Sequence, residues 1–382
     1  MKKIEHKPVN WVNGLKLSSK HFFDQYFSHT EATNRMLGIL MTKYSYGLGE
    51  PFEGQSEAIE LEVVSETISS ITLKLKCCNA VTKDGLPILY YEGLYGDNIP
   101  MAAITANGGM GYETEYIVYV SVDPDNMIPV GAPDPEVSPL HLPYVLPSVS
   151  LHIVSKSQVN NAFYSEKFIP VAEVICDRGT LMLNQNYIPP VQKSGFHDGI
   201  STFISQLSRM LRSIKNDIRM IYSRNAADRR REELVKNTFI LCEAYLRYFD
   251  SSIFWVEEMA SEESPVKLIQ SVNYLANSLN SALQTIPEAE RERLLQYYYD
   301  WTNITPSDFL TKIESIISLR YDHNDISKSL LISGEFMSLL NLMFHKMSEL
   351  EYIGIVRENI IVGDESEYLN EHPKKRSWSF MR

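Results

Sequence analysis

Two hydrophobic periods divide the chain. Between about residues 55 and 190 apolar positions recur every second residue. Ile59, Leu61 and Val63 alternate with Glu60 and Glu62, and Ile71, Leu73, Leu75 and Cys77 alternate with Thr72, Lys74 and Lys76. Successive side chains of a strand point to opposite faces, so this spacing predicts strands with one buried face. Asp84-Gly85 supplies a hairpin-type turn, and residues 115–122 form a further β-branched and aromatic run. More strands are expected at 149–153, 168–175 and 180–183, the last two separated by a turn containing Asp177 and Gly179. Pro124, Pro129, Pro133, Pro135, Pro139, Pro143 and Pro147 remove many amide donors. They predict an extended surface segment, not a central strand or helix. The whole pattern predicts a β-sandwich or barrel.

From about His197 the period becomes helical, directly after Tyr187-Ile188-Pro189-Pro190, which marks the domain boundary. Ile200, Ile204, Leu207, Leu211, Ile214, Ile218 and Ile221 follow one another at alternating spacings of 4 and 3. With Ile204, Leu211 and Ile218 at heptad position a, the others fall at d, and isoleucine at both positions shifts coiled coils toward trimers or tetramers. The stripe therefore predicts a trimer interface. The same spacing also fits packing inside one chain against later helices. Further helices are expected at about 228–260, at 265–285 behind Ser264 and Pro265, at 288–300, from Thr305-Pro306-Ser307-Asp308 onward, and at 325–350. The fold class expected is α+β: a β-sandwich domain over 1–192, a helical bundle with a coiled-coil-like seam over 193–354, and a short tail over 355–382.

Charge and cysteine content narrow the function. With 36 Lys and Arg against 48 Asp and Glu, the net charge of −12 disfavours non-specific nucleic-acid binding. No stretch of 18 apolar residues is long enough to insert in a membrane, and no secretory signal is expected at the N-terminus. Cys77 and Cys78 are adjacent and Cys176 and Cys242 stand apart, which fits neither a disulfide framework nor a zinc spacing and predicts a reducing cytoplasm. Candidate chemistry reduces to structural roles. Asn107-Gly108-Gly109-Met110-Gly111 precedes a strand pattern, so it reads as a turn and not as a phosphate cradle. His21, Asp24 and His29 have no established metal-ligand spacing. Tyr321-Asp322-His323-Asn324-Asp325 reads as a helix start, and Arg229-Arg230-Arg231 as a solvated one. No catalytic, cofactor-binding or metal-binding residue is predicted.

The N-terminal run Trp11-Val12-Asn13-Gly14-Leu15-Lys16-Leu17-Ser18-Ser19-Lys20-His21-Phe22 resembles the opening motif of the TssK family of type VI secretion baseplate subunits. Trp11, Gly14, Leu17, His21 and Phe22 match in register, while Asn13, Ser19 and Lys20 replace the family's glutamate, proline and glutamine. Three later landmarks follow in the family's order: residues 168–174, Leu183 with Tyr187 to Pro190 (including Pro189), and Tyr321 to Asp325 with His323 between them. The resemblance implies a cytoplasmic structural adaptor without catalysis, with a β-sandwich shell and a helical neck. It further implies a homotrimer, partnership with the wedge proteins TssF and TssG, and a link to the membrane-associated complex at the inner face of the cytoplasmic membrane. Only about sixty residues follow Asp325, fewer than the family's head domain has. Lys374, Lys375, Arg376, Trp378 and Phe380 are expected to provide a short partner-binding tail in its place. The alternative is a phage-type trimeric receptor-binding or fibre protein with a carbohydrate-binding β domain.

Overall fold

The computed structural model describes residues 4–67, 70–105, 115–159, 167–177, 180–225 and 233–355. Asn107–Gly111, Arg229–Arg231, Gly179 and the tail from Lys374 to Phe380 lie outside the described residues. Within them the chain folds into two β-sheets and a set of helices.

The first sheet is built on one long strand. β1 (Gly47–Leu48), β2 (Ile59–Thr67), β3 (Ser70–Val81), β4 (Pro87–Tyr91) and β5 (Met101–Thr105) all belong to it, and β3 pairs antiparallel with each of the others. Ile71, Leu73 and Leu75 point to one face and are fully buried, as their period of two requires. The Asp84-Gly85 turn joins β3 to β4, closed by Thr82 N donating to Leu86 O at 2.9 Å. The second sheet contains β6 (Glu115–Val130), β7 (Tyr144–Ser155), β8 (Phe168–Asp177) and β9 (Thr180–Leu183) in the order β7-β6-β8-β9. Val118, Val120 and Ile169 from this sheet join Ile71, Leu73 and Leu75 in one continuous apolar core.

Three of the seven prolines stand in paired strands, contrary to the surface segment expected there. Pro124 sits in the irregularity between Asp123 and Met127, Pro129 pairs with Val145, and Pro147 pairs with Met127. The geometry tolerates them because β8 pairs only with residues 115–121 of β6, so the far half of β6 and β7 is a two-stranded ribbon with unpaired outer edges. Pro133, Pro135, Pro139 and Pro143 lie in the exposed loop that closes this ribbon.

The helices are α1 (Ser19–Leu40), α2 (Asp198–Asn225), α3 (Glu233–Phe254), α4 (Pro265–Gln284), α5 (Glu288–Thr302), α6 (Pro306–Ile317) and α7 (Ile326–Glu349). The start signals act as read for α6, where Thr305 Oγ1 accepts from Asp308 N at 3.0 Å. Ser264 precedes α4, but its hydroxyl donates to Tyr44 O and makes no cap. α1 was not anticipated from the sequence. Polar residues from Ser28 to Asn34 interrupt its apolar stripe, leaving no continuous helical face to detect.

The α2 stripe corrects the central expectation. Ile200, Leu207, Leu211, Ile214 and Ile218 are 0% exposed and Ile221 is 1% exposed in a single chain, with Ile204 half-buried. They pack against α7 and α3, whose Met337, Leu340, Phe344 and Cys242 are also buried. Polar contacts fix the same packing. Tyr245 Oη donates to Leu211 O at 2.8 Å, Arg224 to Leu350 O at 2.8 Å, and Ile353 N to Asn225 Oδ1 at 2.9 Å. Apart from Ile204, these side chains have no remaining surface with which to form the trimer interface assigned to them. An oligomer of this chain has to use other faces. Leu211→Ala should therefore lower unfolding free energy by about 2–5 kcal/mol, read from urea midpoints. The loss should be the same at every protein concentration; a concentration-dependent loss would return the stripe to an intersubunit role.

Candidate functional site

Two constructions stand out. The first joins the sheets to the helices. His323 is buried, with Nε2 2.9 Å from Tyr46 O and Nδ1 2.7 Å from the Tyr321 hydroxyl. A carbonyl only accepts, so Nε2 carries the hydrogen and Nδ1 accepts from Tyr321. The Tyr46 ring stands edge-on to the imidazole at 4.7 Å, and its hydroxyl donates to Asn324 Oδ1 at 2.8 Å. Tyr187 Oη donates to Asn324 O at 2.5 Å. Around this cluster the double proline makes backbone contacts: Leu48 N donates to Pro190 O at 2.8 Å, and Ile326 N donates to Ile188 O at 3.2 Å. Strand β1, the linker and the start of α7 are thereby tied at one point. Burial pushes the His323 pKa down to about 4, against the opposing pull of the Tyr46 carbonyl and Asp322. Asp325 accepts from Ser327 Oγ at 2.5 Å, and Asp322 Oδ1 accepts from Asn324 N at 2.9 Å.

The second construction is an N-terminal arm. Gly14, at φ +82°, turns the chain so that residues 4–12 run back along α1. Glu5 N and His6 N donate to Glu31 Oε2 at 3.2 and 2.7 Å. Val9 N and Trp11 Nε1 donate to Gln25 Oε1 at 3.1 and 3.3 Å. Ser18 N donates to His21 Nδ1 at 3.3 Å in the first turn, and the Trp11 ring lies 6.2 Å from His21 and 6.3 Å from Phe22. The His6 amide, with help from Glu5 and Arg35, holds Glu31 below the usual carboxylate range. The far end of α1 rests closely on the body. A Cβ on Gly85, itself at φ +83°, would come within 2.8 Å of Leu37 Cβ, so that contact requires glycine. Ser28 is the one buried residue of α1, and Leu17 and Phe22 are exposed.

A third feature is an open cleft of about 1500 Å³ between the second sheet and helices α2 and α7. Glu173 lines it, held by Lys156 at 2.9 Å and Asn184 at 2.5 Å, and Phe203, Met210 and Leu331 form apolar parts of its wall. Among the described residues no group of three or more His, Cys, Asp or Glu is placed to hold a metal ion. His21, Asp24 and His29 all lie on α1. Among the described residues no helix is long and apolar enough to cross a membrane.

The sequence matches no protein-family model and no curated protein. The structure, in contrast, superposes on solved TssK structures. A TssK crystal structure aligns over 89% of this chain and 69% of its own, with a TM-score of 0.52 and 17% identity. TssK from the EAEC type VI secretion system, bound to a nanobody, aligns over 84% and 68%, with a TM-score of 0.50 and 14% identity. A chain of a TssK–TssF–TssG baseplate subcomplex aligns over 88% and 99%, with a TM-score of 0.53 and 12% identity. The chain has a TssK-like fold.

Within that TssK-like fold the residues singled out by motif collect in the two constructions above. Trp11, Gly14, His21 and Phe22 build the turn and aromatic cluster of the arm, while Pro189, Pro190, Tyr321, His323 and Asp325 surround the junction. Tyr46 and Tyr44 were not anticipated, because their roles come from contact with residues some 280 positions away: Tyr46 O with His323 Nε2, and the Tyr44 ring 5.6 Å from that of Tyr321. The one local signal is that Tyr46 directly precedes Gly47, where the chain turns into β1 at positive φ. A buried imidazole with a lowered pKa gives the TssK-like fold a defined acid response. The unfolded chain binds a proton at His323 near pH 6.5, whereas the folded chain resists it until about pH 4. Stability from this residue is thus complete above pH 6.5 and falls by about 3 kcal/mol as pH drops to 4. His323→Gln should be less stable at pH 7 yet lose less between pH 7 and 4.5 in denaturant titrations. Parallel pH curves for both proteins would assign the acid response to another group.

Proposed function

We propose that this chain is a structural subunit of a type VI secretion baseplate, working by contact alone. In this reading residues 1–192 are the shell, with its two sheets forming a sandwich, and residues 193–354 are the neck. The shell meets wedge proteins of the TssF and TssG kind, and three copies assemble together. Residues 355–382, with Lys374, Lys375, Arg376, Trp378 and Phe380, serve as a linear anchor toward the membrane-associated complex. The protein then sits in the cytoplasm against the inner face of the membrane.

The observation that carries this reading is the continuity of the likeness. It covers 88% of this chain against a chain solved within a TssK–TssF–TssG subcomplex. The four landmarks at residues 11–22, 168–174, 183–190 and 321–325 accompany it in order. They fall where the fold needs them, at the arm, in β8, at the linker and at the junction.

Co-expression with TssF- and TssG-type proteins should yield one complex on size-exclusion chromatography with light scattering. The mass should require more than one copy of this chain, as expected for a trimer. Elution of the chain separately from both proteins would defeat the baseplate reading. Removing residues 373–382 should leave that complex intact while weakening recovery of the membrane-side proteins.

A further inference from the structure

The N-terminal arm presents far more apolar surface than an unattached element of a monomer normally does. Trp11 is 49% exposed, Phe22 59%, Phe23 61%, Ile39 66%, Met36 69% and Leu40 74%. At about 150–250 Å² for a full aromatic side chain, apolar groups along residues 4–40 expose roughly 1,000 Å² in total. The largest patch on a typical monomer is about 300–600 Å², and a standard interface takes about 800 Å² from each partner. By area the arm is one half of an interface.

Charge identifies the other half. Residues 4–40 hold four Lys and Arg against three Asp and Glu, a net of +1, so with −12 for the whole chain the remainder carries −13. An acidic stretch begins ten residues after the end of α1. Glu50, Glu53, Glu57, Glu60 and Glu62 fall within residues 49–65, which contain no Lys or Arg. All five are exposed. They lead into and along β2, the end strand of its sheet, where Val63 and Val64 are also exposed. Glu62 shares Lys74 and Lys76 with Glu92, so local cations do not reach the earlier glutamates of the stretch through these contacts. A basic, apolar arm and an acidic, partly apolar strand edge thus occur on the same chain. Within one chain both remain uncovered.

We propose that the arm of one copy docks on the acidic β2 edge of a second copy, and that this exchange, in place of the α2 stripe, holds the assembly together. The inference rests on the trimeric TssK-type reading and names the surfaces that reading lacks. Lys7, Lys16 and Lys20, all exposed, supply the charge that opposes the edge, and Phe22 and Phe23 supply the apolar contact. Rim charges tune encounter and partner choice, whereas desolvated aromatics carry most of the affinity.

A charge-exchange experiment on the full chain tests this. The mass is followed by light scattering across protein concentration, with circular dichroism to confirm folding. The arm variant Lys7→Glu/Lys16→Glu/Lys20→Glu and the edge variant Glu50→Lys/Glu53→Lys/Glu57→Lys should each weaken self-association at least tenfold at low salt. Combining all six changes should restore it. Phe22→Asp/Phe23→Asp should abolish association at low and high salt alike. A monomeric wild type, unchanged mass in both charge variants, or failure of the combination to restore association would each overturn the proposal. Loss of co-purification with TssF- and TssG-type proteins in the arm variant, with self-association unchanged, would assign the arm to those proteins. That outcome overturns the exchange while leaving the baseplate reading standing.

Discussion

What this chain can offer a partner is decided by how it covers α2. A helix of 28 residues with an apolar stripe along its whole length is not stable in water unless something lies on that stripe. Here α7 and α3 do so within one subunit. The contact is finished by groups that also consume main-chain hydrogen-bonding capacity: Tyr245 on Leu211 O, and Arg224 on the carbonyls of Ser348 and Leu350. Once this core closes, the helical half is a self-sufficient post. Its contacts with other molecules are restricted to what remains outside, such as the α2–α7 cleft and exposed side chains like Leu331 and Phe254.

The junction converts that post into a support for the sheets. Tyr46, Tyr187, Tyr321, His323 and Asn324 bury polar groups that would each be costly without a partner, and each finds one in the others. A satisfied buried network has few alternative arrangements, so it fixes orientation more sharply than an apolar contact of equal area. The linker residues from Ile188 to Val191 are threaded between β1 and α7 by main-chain bonds on both sides. A force applied to the sheets therefore reaches the helices through short, directional contacts. For a protein whose proposed work is to hold others in place, this stiffness is the functional property that the fold supplies.

The sequence discloses local order much better than it discloses coverage. The alternation of Ile71, Leu73 and Leu75 locates β3 and its buried face, and the spacing from Ile200 to Ile221 locates α2 to within a few residues. That same spacing is silent on what lies against it, since 3.5 and 3.6 residues per turn differ little over three heptads. The stripe therefore read as a trimer seam when its cover was α7, more than a hundred residues later. Prolines misled for a related reason: Pro129 is compatible with pairing because β8 is too short to reach it, and Pro147 because β7 is the end strand of its sheet, facts of the sheet and not of the segment. The junction was half legible. Pro190 and His323 stood out by motif, but Tyr46 acquires its role from a partner 277 positions away. α1 was hidden because its aromatic and aliphatic residues cluster at its two ends, as befits a helix that its own chain does not cover.

The arm differs from an ordinary exposed segment in being ordered before anything binds it. Gln25 and Glu31 each receive two donors from the returning strand of residues 5–11, so side chains and backbone are already restrained. Association usually costs entropy for every loop and rotamer it must immobilise, and much of that loss has occurred here during folding. The arm joins the body near the β3–β4 turn, where Leu37 lies against Gly85. Copies bearing a strong net negative charge repel one another at long range, and a positively charged arm lowers that barrier at the one place where apolar surface is available to complete the contact. Electrostatic sign and apolar area thus select the same residues, which is why the arm, and not the better-hidden stripe on α2, is the surface proposed to meet another copy of this chain.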